Sequence, residues 1–211
     1  MSINYTYLSI VSGVLPVIAA LYNYRHLNNV LKIAALFFLI STMFDWGDEI
    51  ASHYHVTNNF PAIHAYIIIS LLFYTIIYYK AFSALLLKRV VFILGSVGML
   101  VLIVSTSFFE GFMDYPSIAN TVLCVVLIVF SLIYFYQLLS RQEFVHIEKQ
   151  GLFWINAGIL LYFATNVFLF MLFARILKDH NEDFYMIHTV TNIVANILFT
   201  VGLLCKPQKT P

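Results

Sequence analysis

Residues 115–139 read Tyr115-Pro-Ser-Ile-Ala-Asn-Thr-Val-Leu-Cys-Val-Val-Leu-Ile-Val-Phe-Ser-Leu-Ile-Tyr-Phe-Tyr-Gln-Leu-Leu139 and contain no charged side chain. A helix crosses a bilayer with about 20 apolar residues, so this stretch reads as a membrane span. Working outward, six more stretches of similar make-up follow, at roughly 6–24, 29–50, 60–84, 88–108, 150–177 and 183–205. Short polar joints such as Asn23–Asn29, Ser52–Asn59 and Ser140–Gln150 separate them, and none is long enough to fold alone. The expectation is a single all-α domain over 1–211, a polytopic seven-transmembrane-helix bundle.

Composition agrees. Of 211 residues, 62% are hydrophobic and only 10% charged, where a soluble domain carries roughly 25% charged residues. A soluble enzyme is excluded, and the lipid bilayer is the first partner. A net charge of +1 gives no electrostatic footing for nucleic acid. Cys124 and Cys205 both fall in apolar stretches and form no CxxC pair, which supports neither a disulfide framework nor a thiolate metal site. The first residues lack the basic region of a secretory signal, so the first helix is read as retained.

Lysine and arginine set the expected orientation. With the N-terminus outside and the C-terminus in the cytoplasm, Arg25, Lys32, Lys80, Lys88, Arg89, Arg141, Lys149, Lys206 and Lys209 fall inside. Only Arg175 and Lys178 remain outside. The acids Asp45, Asp48, Glu49, Glu110, Asp114, Asp179, Glu182 and Asp183 gather on the outer side, with Glu143 and Glu148 opposite. His53, His55, His64, His180 and His188 also lie outside. Any chemistry therefore faces outward.

In the second helix Ser41, Asp45, Glu49 and His53 recur every four residues and form a stripe, with Asp48 beside it. A carboxylate is costly in lipid, so the stripe is expected to face the bundle or a water-filled cavity, with Asp45 deepest. The last helix repeats the spacing with His188, Asn192 and Asn196. The sixth helix adds Asn156, Tyr162, Thr165 and Asn166, and the fifth Asn120. Amides at such positions commonly tie helices together. The candidate ligand-binding set is Ser41, Asp45, Glu49, Asn166, His188 and Asn192, with Asp45 and Glu49 as candidate catalytic carboxylates. Imidazole and carboxylate are ligand types that zinc accepts, so His53, His64 and His188 are the candidate metal ligands and zinc the candidate for a cofactor the sequence does not otherwise identify. The same groups suit proton relay or pH sensing, because histidine titrates near neutrality.

Several resemblances refine this reading. The heptahelical layout resembles a rhodopsin, but residues 183–205 hold no lysine for a Schiff base, so retinal is not expected. PQ-loop transporters share the helix count, but their Pro-Gln motif is missing and only Pro16 lies well inside a helix. Ser41 and Asp45 look similar to second-helix elements of the alkaline ceramidase and adiponectin-receptor superfamily. That resemblance implies zinc and lipid hydrolysis, yet Asn192 stands where its HxxxH pair would place a second histidine after His188. Three segments resemble a group of uncharacterised seven-helix inner-membrane proteins of Bacteroidetes-type bacteria. They are Asn58-Asn-Phe-Pro-Ala-Ile-His-Ala-Tyr66, Phe153-Trp-Ile-Asn-Ala-Gly-Ile-Leu-Leu-Tyr-Phe163 and Ile187-His-Thr-Val-Thr-Asn-Ile-Val-Ala-Asn-Ile-Leu-Phe199. The likeness implies a bacterial inner-membrane setting and no particular activity.

The functional expectation is a sensory or signalling module with an outward-facing polar cavity. Without a soluble output domain it would act through a signalling or membrane-complex partner. A metal-dependent intramembrane lipid hydrolase is the enzymatic alternative, and a structural subunit of a membrane complex is the third.

Overall fold

A computed structural model describes residues 2–56, 58–140, 147–179 and 182–205, with side chains at 7–56, 58–140, 147–171 and 186–205. Among the charged residues counted above, Arg141, Glu143, Lys206 and Lys209 lie outside the described residues, as does His180. The side chains of Arg175, Lys178, Asp179, Glu182 and Asp183 do so as well.

Seven α-helices and the short joints between them make up the described chain: α1 Ser2–Asn23, α2 Asn29–His53, α3 Phe60–Ala81, α4 Leu85–Phe108, α5 Ser117–Leu139, α6 Gly151–Asp179 and α7 Glu182–Leu204. All seven are long and apolar enough to cross a membrane, the make-up of a multi-pass membrane protein. Successive helices alternate in direction. One end of the bundle holds the starts of α1, α3, α5 and α7, and is called the acidic end below. The other, the basic end, holds the starts of α2, α4 and α6.

Local sequence fixes the helix boundaries. Asn28 caps α2 by accepting the Leu31 N–H at 2.9 Å. At its far end His55 adopts the left-handed region, φ 55°, while the His55 and Val56 amides return to carbonyls of the last turn. Pro61 occupies the first turn of α3, where its missing N–H costs nothing. That helix stops at Ala81 rather than 84, because Phe82 turns extended after donating to the Tyr78 carbonyl. The joint to α4 is thus only three residues long. Glu110 caps α5 across the preceding loop: its carboxylate accepts the Ile118 amide, the Ala119 amide at 3.3 Å and the Ser105 hydroxyl at 2.9 Å.

Each helix packs on its sequence neighbours, and α7 closes the ring against α1. Helix α3 also packs on α5, which leaves α4 on the outside of that pair. Close approach follows from small residues. A Cβ on Gly151 would lie 2.2 Å from the Gly202 carbonyl oxygen, so α6 and α7 meet backbone to backbone at the basic end. Asn23 strengthens that end by donating to the Leu203 carbonyl at 2.8 Å, joining α1 to α7.

Between these contacts the core is aromatic and aliphatic, with Phe37, Tyr74, Tyr78, Phe82 and Phe130 buried together. One polar knot lies within it. Tyr78 donates to Asn156 Oδ1 at 2.6 Å and shares a hydrogen bond with Ser131 Oγ at 2.8 Å, while Asn156 Nδ2 donates to the Ser131 carbonyl at 3.2 Å. All three residues are buried, so α3, α5 and α6 are tied by groups that satisfy one another.

Candidate functional site

Toward the acidic end, α1, α2, α3, α6 and α7 leave an interior cavity of about 110 Å³. It has room for several water molecules or a small ion. Its polar wall is built from Ser41, Thr42 and Asp45 of α2, Tyr66 of α3, and His188, Asn192 and Asn196 of α7. Phe37, Phe38, Tyr74, Phe163 and Phe199 close the deep end. Asp45 is the one carboxylate among the described residues lining it, and no lysine or arginine joins them.

Hydrogen bonds between helices set the places of Ser41, Thr42, Tyr66, Asn192 and Asn196 around Asp45. Thr42 Oγ1 donates to the Gly13 carbonyl of α1 at 2.9 Å and to the Phe38 carbonyl of its own helix at 2.8 Å. Pro16 removes the backbone donor that would reach the Ser12 carbonyl, so α1 is loosened in the same turn. Ser41 Oγ and the Tyr66 hydroxyl share a hydrogen bond of 2.9 Å between α2 and α3. Asn192 and Asn196 donate to Ser9 Oγ and Ser12 Oγ at 2.8 Å and 2.9 Å. Their amide oxygens remain as acceptors.

His188 is held on three sides. Its Nδ1 lies 3.0 Å from Asn166 Oδ1, and Asn166 Nδ2 is engaged with the Tyr162 carbonyl at 2.8 Å. Nδ1 therefore donates, leaving Nε2 as the ring's acceptor. The Tyr162 and Phe170 rings both meet the imidazole edge-on, each centroid 5.7 Å away.

A second cavity, about 580 Å³ and mostly apolar, lies between α2 and α3 on the outer surface near the acidic end. Asp45 and Tyr66 line it as well as the interior cavity, so these two side chains form the partition between them. Asp48 sits beside Asp45 and adds negative potential to it, while accepting a hydrogen bond from Asn59 across the α2–α3 joint.

Five of the residues expected from sequence gather here: Ser41, Asp45, Asn192 and His188 on the wall, and Asn166 behind His188. Glu49 does not. It lies one turn further toward the acidic end, where Tyr7 of α1 is its neighbour. The histidines expected as a metal set are not brought together. His53 is exposed at the end of α2 against the Tyr54 ring. His64 is buried on the opposite side of α3, with Nδ1 3.1 Å from Thr106 Oγ1, Nε2 3.2 Å from the Asp114 carbonyl, and its ring stacked on Phe112. The reason is angular: His64 and Tyr66 are two residues apart, which turns their side chains by about 200° on a helix. Tyr66 faces the cavity, so His64 cannot. Among the described residues no three His, Cys, Asp or Glu side chains converge as metal ligands.

Sequence reasoning missed Tyr66, Thr42 and the α1 serines. Tyr66 is one of four tyrosines in α3, with Tyr74, Tyr78 and Tyr79, and nothing in its spacing singles it out as a cavity residue. Thr42 adjoins the stripe but breaks its four-residue spacing. Compared with protein-family models, curated proteins and solved structures, the chain matches none.

Proposed function

We propose that this protein is a membrane sensor for a small cation, the proton included, taken up at Asp45. The observation that carries the reading is the carboxylate itself. It lines a small polar cavity whose described wall offers hydroxyl, amide and imidazole groups but no lysine or arginine to neutralise it. A carboxylate placed so far along a membrane helix needs a counter-charge, and a cation from outside supplies one.

The hydrogen bonds of α1 give occupancy a route to the rest of the bundle. Thr42 joins α1 to α2 directly beside Asp45, and Ser9 and Ser12 join α1 to α7. A change of charge at Asp45 therefore bears on α1 from one side while α7 holds it from the other. Output passes to a partner protein through the short joints at the basic end. By the lysine and arginine count the acidic end faces outward, and the likeness to Bacteroidetes-type seven-helix proteins supports a bacterial inner membrane.

The hydrolase reading has less support, because Asp45 and His188 together are fewer than the three protein ligands a catalytic zinc uses.

Thermal unfolding of the purified protein tests the proposal. Sodium, potassium and ammonium are titrated separately, and proton activity is varied at fixed ionic strength. A ligand bound only by the folded state stabilises it by about 2.7 kcal/mol at about a hundred times its Kd. Wild type should gain saturable stability from at least one of these cations, and Asp45→Asn should lose that gain. Equal responses in both proteins, or none in wild type, would overturn the reading.

A further inference from the structure

The face that α3 and α4 turn away from the bundle carries a groove of about 970 Å³. Its floor is set by Gly95. A Cβ there would lie 2.6 Å from both Cγ2 and Oγ1 of Thr75, so Thr75 occupies the glycine's space and draws the two helices together. Larger side chains then stand up on either side: Leu72 and Ile76 on α3, Phe92, Ile93 and Leu100 on α4, all more than a third exposed.

One end of this trough differs sharply from the rest. Lys88, Arg89 and Tyr79 meet there, with Lys88 Nζ 5.8 Å from the centre of the Tyr79 ring. No residue lining the groove is acidic. The same end is the start of α4, whose cap residue Ala84 has no side chain to accept the first-turn amides. Two cations and a positive helix end thus crown a long apolar channel.

The dimensions suit one leaflet. From Lys88 to Leu100 a helix rises about 18 Å, and half of a hydrocarbon core of about 30 Å is about 15 Å. A phosphate at Lys88 and Arg89 therefore leaves its acyl chain alongside Phe92, Ser96 and Leu100. A zwitterionic headgroup would bring its own cation to the same two side chains, so net negative charge is what the crown selects.

We propose that the α3–α4 groove binds an anionic phospholipid, its phosphate on Lys88 and Arg89 and one acyl chain laid over Gly95 and Thr75. The site is separate from the Asp45 cavity and does not depend on the cation reading.

Native mass spectrometry of the whole protein in detergent tests this, with phosphatidylglycerol and phosphatidylcholine of identical chains added in turn. One phosphatidylglycerol should be retained with a preference on the order of tenfold. Lys88→Gln with Arg89→Gln should remove that preference and leave phosphatidylcholine retention unchanged. Ser96→Trp, at an exposed position in the groove, should weaken both lipids without lowering the thermal midpoint. Equal retention of the two lipids, or a preference that survives the double substitution, would overturn the proposal. So would displacement of the lipid by inorganic phosphate alone, which would reduce the site to an anion subsite. A dimer that Ser96→Trp disrupts, with no lipid retained, would assign the groove to a second copy instead.

Discussion

Gly13 stands one methyl group from the Asp45 carboxylate: a Cβ built on it lies 3.6 Å from Asp45 Oδ2, and 3.9 Å from Asn196 Nδ2. Both distances are ordinary van der Waals contacts, so alanine fits without displacing either side chain. It would nevertheless project between the one carboxylate of the cavity wall and the amide facing it.

Gly13→Ala is therefore expected to fold as well as wild type, with helix propensity contributing up to about 1 kcal/mol in its favour. Its response to the cation that stabilises wild type should weaken. Parallel thermal titrations separate the two effects, because the midpoint without cation reads the fold and its shift reads the site.

His188 and His64 make a second comparison. Each is a histidine near the acidic end, but only His188 lines the cavity, while both nitrogens of His64 are engaged with Thr106 and the Asp114 carbonyl. His188→Gln should change the cation response. His64→Gln should leave the response alone and loosen the loop between α4 and α5, visible as faster amide exchange around residues 110–116. A cation response lost in His64→Gln but kept in His188→Gln would contradict the geometry.

The seven spans were legible because each is a long apolar run, a property of single helices that needs no knowledge of neighbours. The site was half legible for the same reason. Ser41 and Asp45 were found by their four-residue spacing, yet that spacing drifts by about 40° per step on a helix of 3.6 residues per turn. Three steps turn His53 by about 120° from Ser41, which is why Glu49 reaches Tyr7 of α1 and His53 reaches the surface. Contacts between helices were not legible at all. Nothing in Asn192 or Asn196 indicates that they reach back to Ser9 and Ser12, more than 180 positions earlier.

The buried knot of Tyr78, Ser131 and Asn156 carries a prediction about stability alone. Tyr78→Phe leaves Asn156 Oδ1 without its donor, at a cost of about 1 to 2 kcal/mol. Asn156→Leu removes the other partner, and the double variant should lose less than the two single losses combined, because they break one shared bond. Reversible unfolding in mixed micelles gives the four values of that cycle.

Two glycines with opposite surroundings give the last comparison. Gly202 would place a Cβ 2.6 Å from the Gly151 carbonyl oxygen, which is backbone and cannot yield, whereas Gly47 has nothing within 4 Å. Gly202→Ala should cost about 1 to 3 kcal/mol by forcing α6 and α7 apart. Gly47→Ala should be neutral or stabilising by up to about 1 kcal/mol. Thermal midpoints of the two variants decide the matter.

The seam between α1 and α7 also dictates an order of biosynthesis. Ser12 Oγ donates to the Ser9 carbonyl of its own helix at 2.6 Å and accepts from Asn196 only in the closed ring. The emerging α1 thus keeps that hydroxyl satisfied while five further helices are translated. Asn192 and Asn196 then arrive with their receivers already waiting in the bilayer. The ring and its cavity come into being only once α7 has left the ribosome, so no shorter nascent chain carries the site.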